Sequence, residues 1–455
     1  MLTIYLKKII EKIPEPLGRV LTKVPFGVRF GFPYVLSRHE IKKHDSLSLE
    51  CKEKKLYNRL KVLLEYSYHN IPFYKRHYES HSYHPGSFKT LADFSIVPMV
   101  TKADFQAYNI DDRYRYRMGV MKINTGGTSG APLHFFVDRN AFAREWAHMH
   151  EIWMSKGYKT NHLKLTFRGK NLGKSNILQY NPIHNEYVVN SYVSMGEISL
   201  AVSRLIQKKR VLWVHGYPSL VSEFASHINQ FHPALALKLK KMLMGILLGS
   251  EYPAPMYRNI IRDVLSDNIV SWYGHSEMAM LAYEVEEGIY QNMPTYGYAE
   301  AVREDSASTE SRLIATSLHN MVHPFIRYDT GDLVKEFGFE NGNLLFGIEQ
   351  GRIGDFIVDR EGKKIFLTAL IFGRHHAAFE KIAHVQVLQV EKGRATLVIV
   401  LKGGDLAQRF SFTDFDLNDV NVDWDLKIVP SPIRTVSGKI RLKIDSSYDT
   451  RYINY

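Results

Sequence analysis

Five short clusters of polar residues and glycines hold the side chains that could do chemistry in this chain. The first is residues 123–132, INTGGTSGAP. Its three glycines let the backbone turn N–H groups inward, and the hydroxyls of Thr125, Thr128 and Ser129 add donors, so this segment is predicted to cradle a phosphate. No lysine follows its last glycine, which separates it from a Walker A loop. The alternative is an ordinary surface loop.

Three further clusters follow along the chain. Residues 272–277, WYGHSE, end an apolar run with an aromatic face, a hydroxyl and a carboxylate, which suit base stacking and Mg²⁺ binding. Residues 327–332, RYDTGD, predict a turn whose carboxylates can accept hydrogen bonds from sugar hydroxyls. Residues 351–355, GRIGD, come where the sequence pattern changes, which predicts a mobile joint. Each cluster taken alone also fits an ordinary turn or strand end, so their order along the chain carries the argument.

The fifth cluster is residues 435–441, TVSGKIR, which place Lys439 on a glycine-containing turn. A lysine ammonium is a compact charge that can reach a phosphoryl oxygen from a flexible loop. Taken singly, a solvated lysine is the competing interpretation. His319 and His323 stand four residues apart and could hold a metal on a helix, but Pro324 predicts a loop there.

The elements that must position these clusters alternate in type beyond residue 120, which predicts α/β layering. Strand-like apolar runs are predicted at 163–167, 210–214, 241–248, 268–272 and 312–316. Helix-like segments are predicted at 141–156, 219–230 and 256–265. From residue 355 on, strands at 386–391 and 395–401 around a helix at 368–382 predict a small α+β module of about 100 residues.

The N-terminal region is basic. Residues 1–43 hold nine Lys/Arg against three Glu, a net charge of 9 − 3 = +6, and carry an apolar stripe from Leu2 to Val24 that Pro14 and Pro16 interrupt. The stripe predicts either an element lying on a membrane surface or a segment docked on the main domain. A long helix is predicted from about residue 46 to Asn70, where Pro72 stops it.

Composition narrows the class of protein. A chain of 455 residues predicts two or more domains, and its net charge of +12 favours anionic partners. A single cysteine, Cys51, excludes an internal disulfide and a cysteine zinc cage. No apolar run approaches the roughly 18 to 20 residues that span a bilayer, and no signal peptide is evident, so we predict a cytoplasmic protein. No nucleic-acid-binding motif is present, so specific nucleic-acid binding is not expected.

Taken together and in this order, the clusters resemble the motifs of the adenylate-forming superfamily of acyl-AMP synthetases. Within it the chain is most similar to the phenylacetate-coenzyme A ligase branch and its relatives from capsule and O-antigen clusters. Further matching segments are residues 71–74 (IPFY), 97–102 (VPMVTK), 215–219 (HGYPS) and 249–251 (GSE). The resemblance covers residues 50 to 446.

The resemblance implies an α/β fold with a basic arm (1–45), a large domain that binds ATP and the acid (46–354) and a small mobile α+β domain (355–455). It implies ATP-dependent activation of a small carboxylic acid as acyl-AMP with release of pyrophosphate. The acyl group then passes to coenzyme A, an acyl carrier protein or a sugar acceptor, with a role in surface polysaccharide biosynthesis. The alternative is a non-catalytic nucleotide-binding or scaffold subunit of a polysaccharide assembly.

The resemblance also implies residue roles. The ATP- and AMP-binding residues are Thr125, Gly126, Gly127, Thr128, Ser129, Gly130, Gly249, Ser250, Glu251, Tyr273, Gly274, Ser276, Asp332 and Arg352. Glu277 ligates Mg²⁺, and Lys439 bridges the carboxylate and the α-phosphate. His215 and Tyr217 border the acid pocket. Gly354 is the hinge, where the family usually has Asp or Lys.

Overall fold

The computed structural model describes residues 15–124, 133–170, 172–173, 176–191, 193–303, 311–348, 356–367, 370–371, 376–402, 410–434 and 440–444. The chain forms two compact units. Unit 1 comprises Pro25–Ile152 and Trp272–Ile348, and unit 2 comprises the described residues of Leu2–Val24, Trp153–Ser271 and Glu349–Tyr455. The domain limits expected at residues 45 and 354 stay predictions.

The regular elements are as follows. The α-helices are α1 (Glu15–Leu21), α2 (Phe26–Phe30), α3 (Phe32–Asp45), α4 (Leu49–Asn70), α5 (Pro72–Ser80), α6 (Lys102–Gln106), α7 (Ala141–Met154), α8 (Met195–Lys208), α9 (Pro218–Phe231), α10 (Pro233–Met242), α11 (Pro255–Val264) and α12 (Ala378–Lys381). Short 3₁₀ helices are Pro85–Ser87, Leu91–Ile96, Ile110–Arg113 and Phe412–Asp414.

The β-strands are β1 (Met121–Asn124), β2 (His134–Val137), β3 (Lys164–Lys170), β4 (Leu178–Asn181), β5 (Glu186–Asn190), β6 (Trp213–Gly216), β7 (Gly245–Leu248), β8 (Ile269–Gly274), β9 (Leu281–Glu286), β10 (Ile289–Asn292), β11 (Gly297–Val302), β12 (Ser311–Ser317), β13 (Tyr328–Glu340), β14 (Asn343–Gly347), β15 (Phe356–Val358), β16 (Lys364–Phe366), β17 (Ile382–Glu391), β18 (Arg394–Leu401), β19 (Asp423–Ile428) and β20 (Lys443–Ile444).

Unit 1 is built on an antiparallel sheet in the order β11-β12-β13-β14-β10-β9, and the last residues of β8 pair with β9. Its apolar core joins α4, α5 and this sheet. Arg327, which precedes β13, donates to the carbonyl oxygens of Ser95 (2.5 Å) and Val97 (2.6 Å), and its Nε donates to Glu300 (3.1 Å). This buried cation therefore fixes the end of the 3₁₀ helix Leu91–Ile96 to the sheet.

Residues 25–45 belong to unit 1. Phe26, Tyr34 and Ile41 are buried, and the Tyr34 hydroxyl lies 2.9 Å from Nδ1 of His150 on α7. Because the buried positions of α3 recur at three- or four-residue steps, one face of this helix packs inward. Val28, Phe32 and other apolar side chains remain exposed on the opposite side.

The long helix expected from residue 46 is α4, which ends at Asn70 as predicted. Pro72 does more than end it, because this proline occupies the first turn of α5. A proline has no N–H to leave unsatisfied there and its fixed φ suits a helix start. The exposed Cys51 lies in α4. Within the described part of the chain, no helix is both long and apolar enough to cross a bilayer.

Unit 2 contains a parallel sheet in the order β5-β3-β6-β7, followed by the first residues of β8, with β4 antiparallel at the edge of β5. Helices α8 to α11 bury their apolar faces in its core. A Cβ at Gly216 would lie 2.4 Å from the Phe167 carbonyl oxygen, so only glycine permits this approach of β6 to β3. The predicted apolar run 241–248 is part helix, because α10 ends at Met242.

Unit 2 also holds the C-terminal module, residues 356–444, with a four-stranded sheet in the order β19-β18-β17-β20. Strands β17 and β18 are antiparallel, whereas β19 and β20 pair in parallel with β18 and β17. The helix predicted over 368–382 is observed as α12, Ala378–Lys381, while 368–369 and 372–375 lie outside the described residues. It ends there because Ile382 begins β17, whose alternating pattern favours a strand.

Candidate active site

Glu277 lies in the turn after β8 and is only 8% exposed. Its Oε1 accepts a hydrogen bond from the Tyr328 hydroxyl (3.1 Å), and its Oε2 lies 3.0 Å from Nδ1 of His275. Burial raises the pKa of this carboxyl, but the contacts with His275, its own backbone N–H and Tyr328 together lower the pKa to about 2. Glu277 is therefore a buried anion at neutral pH, the oxygen donor that Mg²⁺ prefers.

Tyr273 and Asp332, both predicted to bind the nucleotide, contact each other. The Tyr273 hydroxyl donates to Oδ2 of Asp332 (2.5 Å), and the edge of its ring packs against Phe346 (centroids 5.8 Å apart). Both residues are buried to more than nine-tenths. The tyrosine hydroxyl thus orients the carboxylate expected to hold the ribose. Gly274 ends β8, and Ser276 is exposed in the turn.

The segment before Asp332, predicted as a turn, lies within β13, where the register with β12 shifts and side-chain oxygens bond to the backbone. Gly331 has φ +76° and donates its N–H to Oδ1 of Asp329 (2.9 Å), and the N–H of Asp332 donates to Thr330 Oγ1 (3.2 Å). A positive φ of this size favours glycine. Arg312 lies 2.6 Å from Oδ2 of Asp329, so this carboxylate contacts both Arg312 and the Gly331 N–H and holds this part of β13.

In unit 2, the segment Gly249, Ser250, Glu251 follows β7 at the carboxyl edge of the parallel sheet, where α/β proteins commonly bind ligands. The Gly249 N–H donates to the Gly216 carbonyl (3.3 Å). Ser250 has φ +70°, a strained conformation for a residue other than glycine. Oε2 of Glu251 accepts from the Ser219 hydroxyl (2.6 Å), which ties this segment to α9.

His215 and Tyr217, predicted to border the acid pocket, lie at the same edge. His215 is buried on β6, its Nδ1 lies 3.3 Å from an Arg168 guanidinium nitrogen, and its ring packs edge-on against Trp153. Burial, and then the charge of Arg168, lower the pKa of His215 well below its usual value, so the ring is neutral near pH 7. Tyr217 caps α9 and donates its N–H to the Phe167 carbonyl (3.1 Å).

A buried ion pair lies in the sheet beside His215. Nζ of Lys164 is 3.7 Å from Oε2 of Glu186, and both side chains are at most 2% exposed. Lys164 also donates to the His184 carbonyl oxygen (2.6 Å), while Glu186 accepts from Thr166 (2.8 Å) and Asn181 (2.9 Å). Burial raises the pKa of Glu186, but Lys164 and Arg168 outweigh it, so the net shift is downward and the carboxylate is ionised.

The other predicted site residues lie outside the described residues. These are Thr125, Gly126, Gly127, Thr128, Ser129 and Gly130 of the phosphate segment, with Arg352, Gly354 and Lys439.

For His319 and His323, considered above as metal ligands, the structure gives other contacts, and no group of three or more metal-binding side chains occurs within the described ranges. Both histidines lie in a loop, as Pro324 predicts. Nε2 of His319 is 2.6 Å from the Thr295 carbonyl oxygen. His323 is packed among Phe105, Phe135 and Phe325.

Sequence reasoning missed three residues that support the site. Tyr328 lies within the RYDTGD cluster, yet its contact with Glu277 needs the pairing of distant strands and leaves no local signal. His275 lies two residues from Glu277, a spacing that could have suggested the contact. Arg168 lies within β3, beyond the apolar run that predicted this strand, and the pairing of β3 with the neighbouring strand β6 brings it to His215.

Comparison with the sequences of known proteins found two curated relatives, each similar to part of this chain. No protein-family model matches the chain. The Protein CapK of Staphylococcus aureus is 21% identical over 283 residues, which are 60% of this chain and 62% of that protein. The phenylacetate-coenzyme A ligase of Escherichia coli (strain K12) is 34% identical over 76 residues, 16% of this chain and 17% of the ligase. The chain therefore matches less than two thirds of the length of these curated relatives.

Among solved structures, 2-hydroxyisobutyryl-CoA ligase in the postadenylation state with R3-HIB-AMP is similar over 88% of this chain and 91% of that chain, with a TM-score of 0.63 and 17% identity. This likeness confirms the predicted α/β fold of the adenylate-forming enzymes with a C-terminal module. The resemblance stated from the motifs is thus confirmed at the level of the fold.

Proposed function

We propose that this chain, which has the fold of the adenylate-forming ligases, joins ATP and a small carboxylic acid into acyl-AMP with release of pyrophosphate. The observation that supports this best is the buried, ionised Glu277 after β8, held by Tyr328 and His275. The contact between Tyr273 and Asp332 in the same unit adds a polar pair suited to a nucleoside.

In this proposal each cluster has one task. Attack of a carboxylate on the α-phosphorus brings like charges together, so Lys439 neutralises the charge that develops. Asp332 accepts hydrogen bonds from the ribose hydroxyls, and Arg352 donates to the ribose. Tyr273 stacks on the base. Residues 125–130 and 249–251 bind the remaining parts of ATP. His215 and Tyr217 border the acid.

Mg²⁺ fits the residues present. Glu277 is a buried anionic oxygen donor, and Mg²⁺ is usually held by one or two carboxylates together with substrate phosphates, so a single carboxylate suffices. When bound, the ion neutralises charge on the phosphoryl oxygens. His275 and Tyr328 fix the carboxylate in place for that task.

The acyl acceptor in this proposal is coenzyme A, an acyl carrier protein or a sugar amine or hydroxyl of a capsule or O-antigen polysaccharide. The net charge of +12 suits each of these partners, because the first two are anionic and the last is carried on anionic lipid. Gly354 is the proposed hinge at which the C-terminal module changes orientation between the two half-reactions.

The test is acid-dependent exchange of labelled pyrophosphate into ATP over a panel of aliphatic, hydroxy, aromatic, dicarboxylic and sugar acids. We expect at least one acid to support exchange, and Lys439→Ala to lower it by roughly a thousandfold to a small residual rate while ATP affinity stays within a few fold. Adding coenzyme A, carrier protein or acceptor sugar to the productive acid identifies the second step. ATP binding without exchange for any acid would favour the scaffold alternative.

We further propose that unit 1 binds the cytoplasmic face of an anionic membrane through α2 and α3. Val28 on α2 and Phe32 on α3 are each 70% exposed, and Val35 and Leu36 on α3 are about half exposed. The exposed Lys42 and Lys43 follow, and the charge contributes about 1 kcal/mol per basic residue near an anionic leaflet. Exposed apolar side chains beside basic ones fit a lipid surface.

Vesicle co-sedimentation tests this proposal. Point substitutions are preferable to deleting the arm, because Phe26 and Tyr34 are part of unit 1's packing. We expect binding to vesicles of phosphatidylglycerol and phosphatidylethanolamine that weakens with salt and is lost in the double variant Phe32→Ser, Leu36→Ser. Phe339→Ser, at an equally exposed position of the same unit, should bind normally. Undiminished binding of the double variant would show that this face is not the contact.

A further inference from the structure

One segment of the C-terminal module is fixed at both ends. We name residues 433–441 the lysine segment, after Lys439. Arg434 and Ile440 pair as an antiparallel β-bridge, and residues 435–439 between them lie outside the described residues. The contacts that hold these two ends come from β17, from α9 and from the segment after β7.

The first contact is the side-chain amide of Gln386 on β17, which is 1% exposed. Its Nε2 donates to the carbonyl oxygens of Ile433 (2.9 Å) and Arg441 (2.8 Å), and its Oε1 accepts from the Ile433 N–H (2.7 Å). One buried side-chain amide therefore bonds to the backbone at both ends of the lysine segment. Replacing it by an apolar side chain would leave these backbone groups buried and unbonded.

The second contact is an ion pair with α9. A guanidinium nitrogen of Arg434 lies 2.8 Å from Oε2 of Glu223, and Nε2 of His384 lies 3.7 Å from the same oxygen. The Arg434 and Glu223 side chains are 15% and 19% exposed, so water screens this pair less than a surface pair. Burial raises the pKa of Glu223, but His384 and Arg434 outweigh it, and the carboxyl pKa is lowered overall.

The third contact is at the other end of the segment. The Ile440 N–H donates to Oε1 of Glu251 (3.1 Å), whose other oxygen accepts from Ser219 on α9. Ser219 and Glu223 are four residues apart and so lie on one face of this helix. The Ile440 side chain is buried in the core of the parallel sheet. One end of the lysine segment thus contacts this face of α9 directly through Arg434, and the other end is linked to it through Glu251.

We propose that Gln386, Glu223 and Arg434 are positioning residues that hold the lysine segment on α9 for the acid-activating step. The proposal rests on the function proposed for Lys439. A lysine side chain has four rotatable bonds, so its ammonium reaches a fixed point reproducibly only when its backbone is fixed. These three residues act through the segment and leave binding of ATP unchanged.

A kinetic split tests the proposal. Arg434→Met should lower kcat for acid-dependent pyrophosphate exchange at least tenfold with KM for ATP within twofold, because only an interaction of the transition state is lost. Arg434→Lys should recover part of kcat. The matched control is Arg394→Met, which removes the exposed ion pair with Asp425 in the same module and should change neither constant. Equal changes in both variants would overturn the proposal.

A double-mutant comparison separates positioning from general stability. In a Lys439→Ala background, Arg434→Met should change the residual rate less than twofold, since the residue through which it acts is gone. A further tenfold loss in the double variant would mean that Arg434 acts independently of the lysine, and the proposal would fail.

Hydrogen exchange gives a readout that needs no activity. In Gln386→Leu, peptides covering residues 433–441 should exchange faster than in the unmodified protein, while peptides of β18 and β19 stay unchanged. Unchanged hydrogen exchange in peptides covering 433–441 would show that Gln386 does not hold the lysine segment. If the unmodified protein shows no pyrophosphate exchange with any acid, the proposed function fails, and this measurement still decides whether the lysine segment is held as inferred.

Discussion

At the scale of single residues, Glu277 shows how a carboxylate stays ionised in the protein interior. Burial alone disfavours the charge, and two polar neighbours from different parts of unit 1 reverse that preference. A carboxylate prepared in this way does not have to lose a proton before it binds a cation. This property makes Glu277 the residue whose replacement is most informative.

We predict that Glu277→Gln lowers turnover at least tenfold at low Mg²⁺ and that raising Mg²⁺ recovers part of the rate, because an amide oxygen replaces a charged ligand. The measurement is the Mg²⁺ dependence of pyrophosphate exchange. Glu286→Gln, an exposed position on β9, is the control and should match the unmodified protein. An unaltered Mg²⁺ dependence in Glu277→Gln would remove this residue from the metal site.

The hydroxyl of Tyr273 gives a second prediction at this scale. Tyr273→Phe keeps the ring but removes the donor to Asp332. We expect KM for ATP to rise roughly tenfold, which corresponds to about 1.4 kcal/mol, a usual value for a hydrogen bond to a charged group. Tyr283→Phe, which loses a hydroxyl contact with Gln291 in the same unit, should leave KM unchanged. Similar effects of both substitutions would argue against a specific role for Tyr273.

At the scale of elements, the parallel sheet of unit 2 contains the Lys164–Glu186 pair between β3 and β5. We predict that Lys164→Met lowers the free energy of unfolding by about 3 to 5 kcal/mol, because it leaves Glu186 charged and buried. The double variant with Glu186→Leu should regain much of this loss. Urea unfolding of both variants measures it, and equal stability of the two would show that the charges are not coupled.

The sequence predicted several strands of this sheet, but it did not predict the contacts between them. Apolar runs and their lengths located β3, β6, β7 and β8 in this sheet, and β12 in the antiparallel sheet of unit 1, because buried strands carry continuous apolar residues. The predicted ends of helices and strands were less accurate. The helix expected over 368–382, for example, is observed at Ala378–Lys381, because the alternating apolar pattern that begins at Ile382 favours strand β17. Local patterns say little about register, so contacts such as Gln386 with the lysine segment had no signal in the sequence.

In the candidate site, too, residues within short motifs were predicted, but their contacts with residues distant in the sequence were not. Glu277, Tyr273 and Asp332 were predicted from short motifs, in which glycines and polar residues stand close together along the chain. The partners that set their properties come from distant strands: Tyr328 for Glu277 and Asp332 for Tyr273. The roles of the motif residues in nucleotide binding stay predictions until the variants above are measured.

At the scale of the whole molecule, unit 1 contains buried histidines that make folding sensitive to acid. Burial lowers the pKa of His148 and His323 to about 3, and that of His319 to about 4. An unfolded histidine takes up a proton below about pH 6.5, whereas these buried rings stay neutral to a lower pH. Each one therefore removes about 2 kcal/mol of stability between pH 7 and pH 5.

His323 isolates this effect best. In the described part of the chain neither of its ring nitrogens has a hydrogen-bond partner, its ring stacks on Phe325 (centroids 5.3 Å apart), and the charge of Arg113 adds to burial in lowering its pKa. His148, by contrast, contacts the Arg144 carbonyl and Thr295 through its two nitrogens. Replacement of His323 by an apolar ring therefore removes a titrating group without breaking a hydrogen bond.

We predict that His323→Phe unfolds with a weaker pH dependence, so that the loss of stability between pH 7 and pH 5 is smaller than in the unmodified protein by about 2 kcal/mol. The extra volume of phenylalanine costs the same at every pH, so the slope and not the level of stability is the readout. Urea unfolding at pH 5, 6 and 7 measures it, with the exposed His69→Gln as control. Glu277 does not interfere, because its depressed pKa of about 2 contributes stability that is lost only as pH falls below its ordinary value of 4.5. Parallel pH profiles for His323→Phe and the unmodified protein would mean that His323 is already protonated in the folded state.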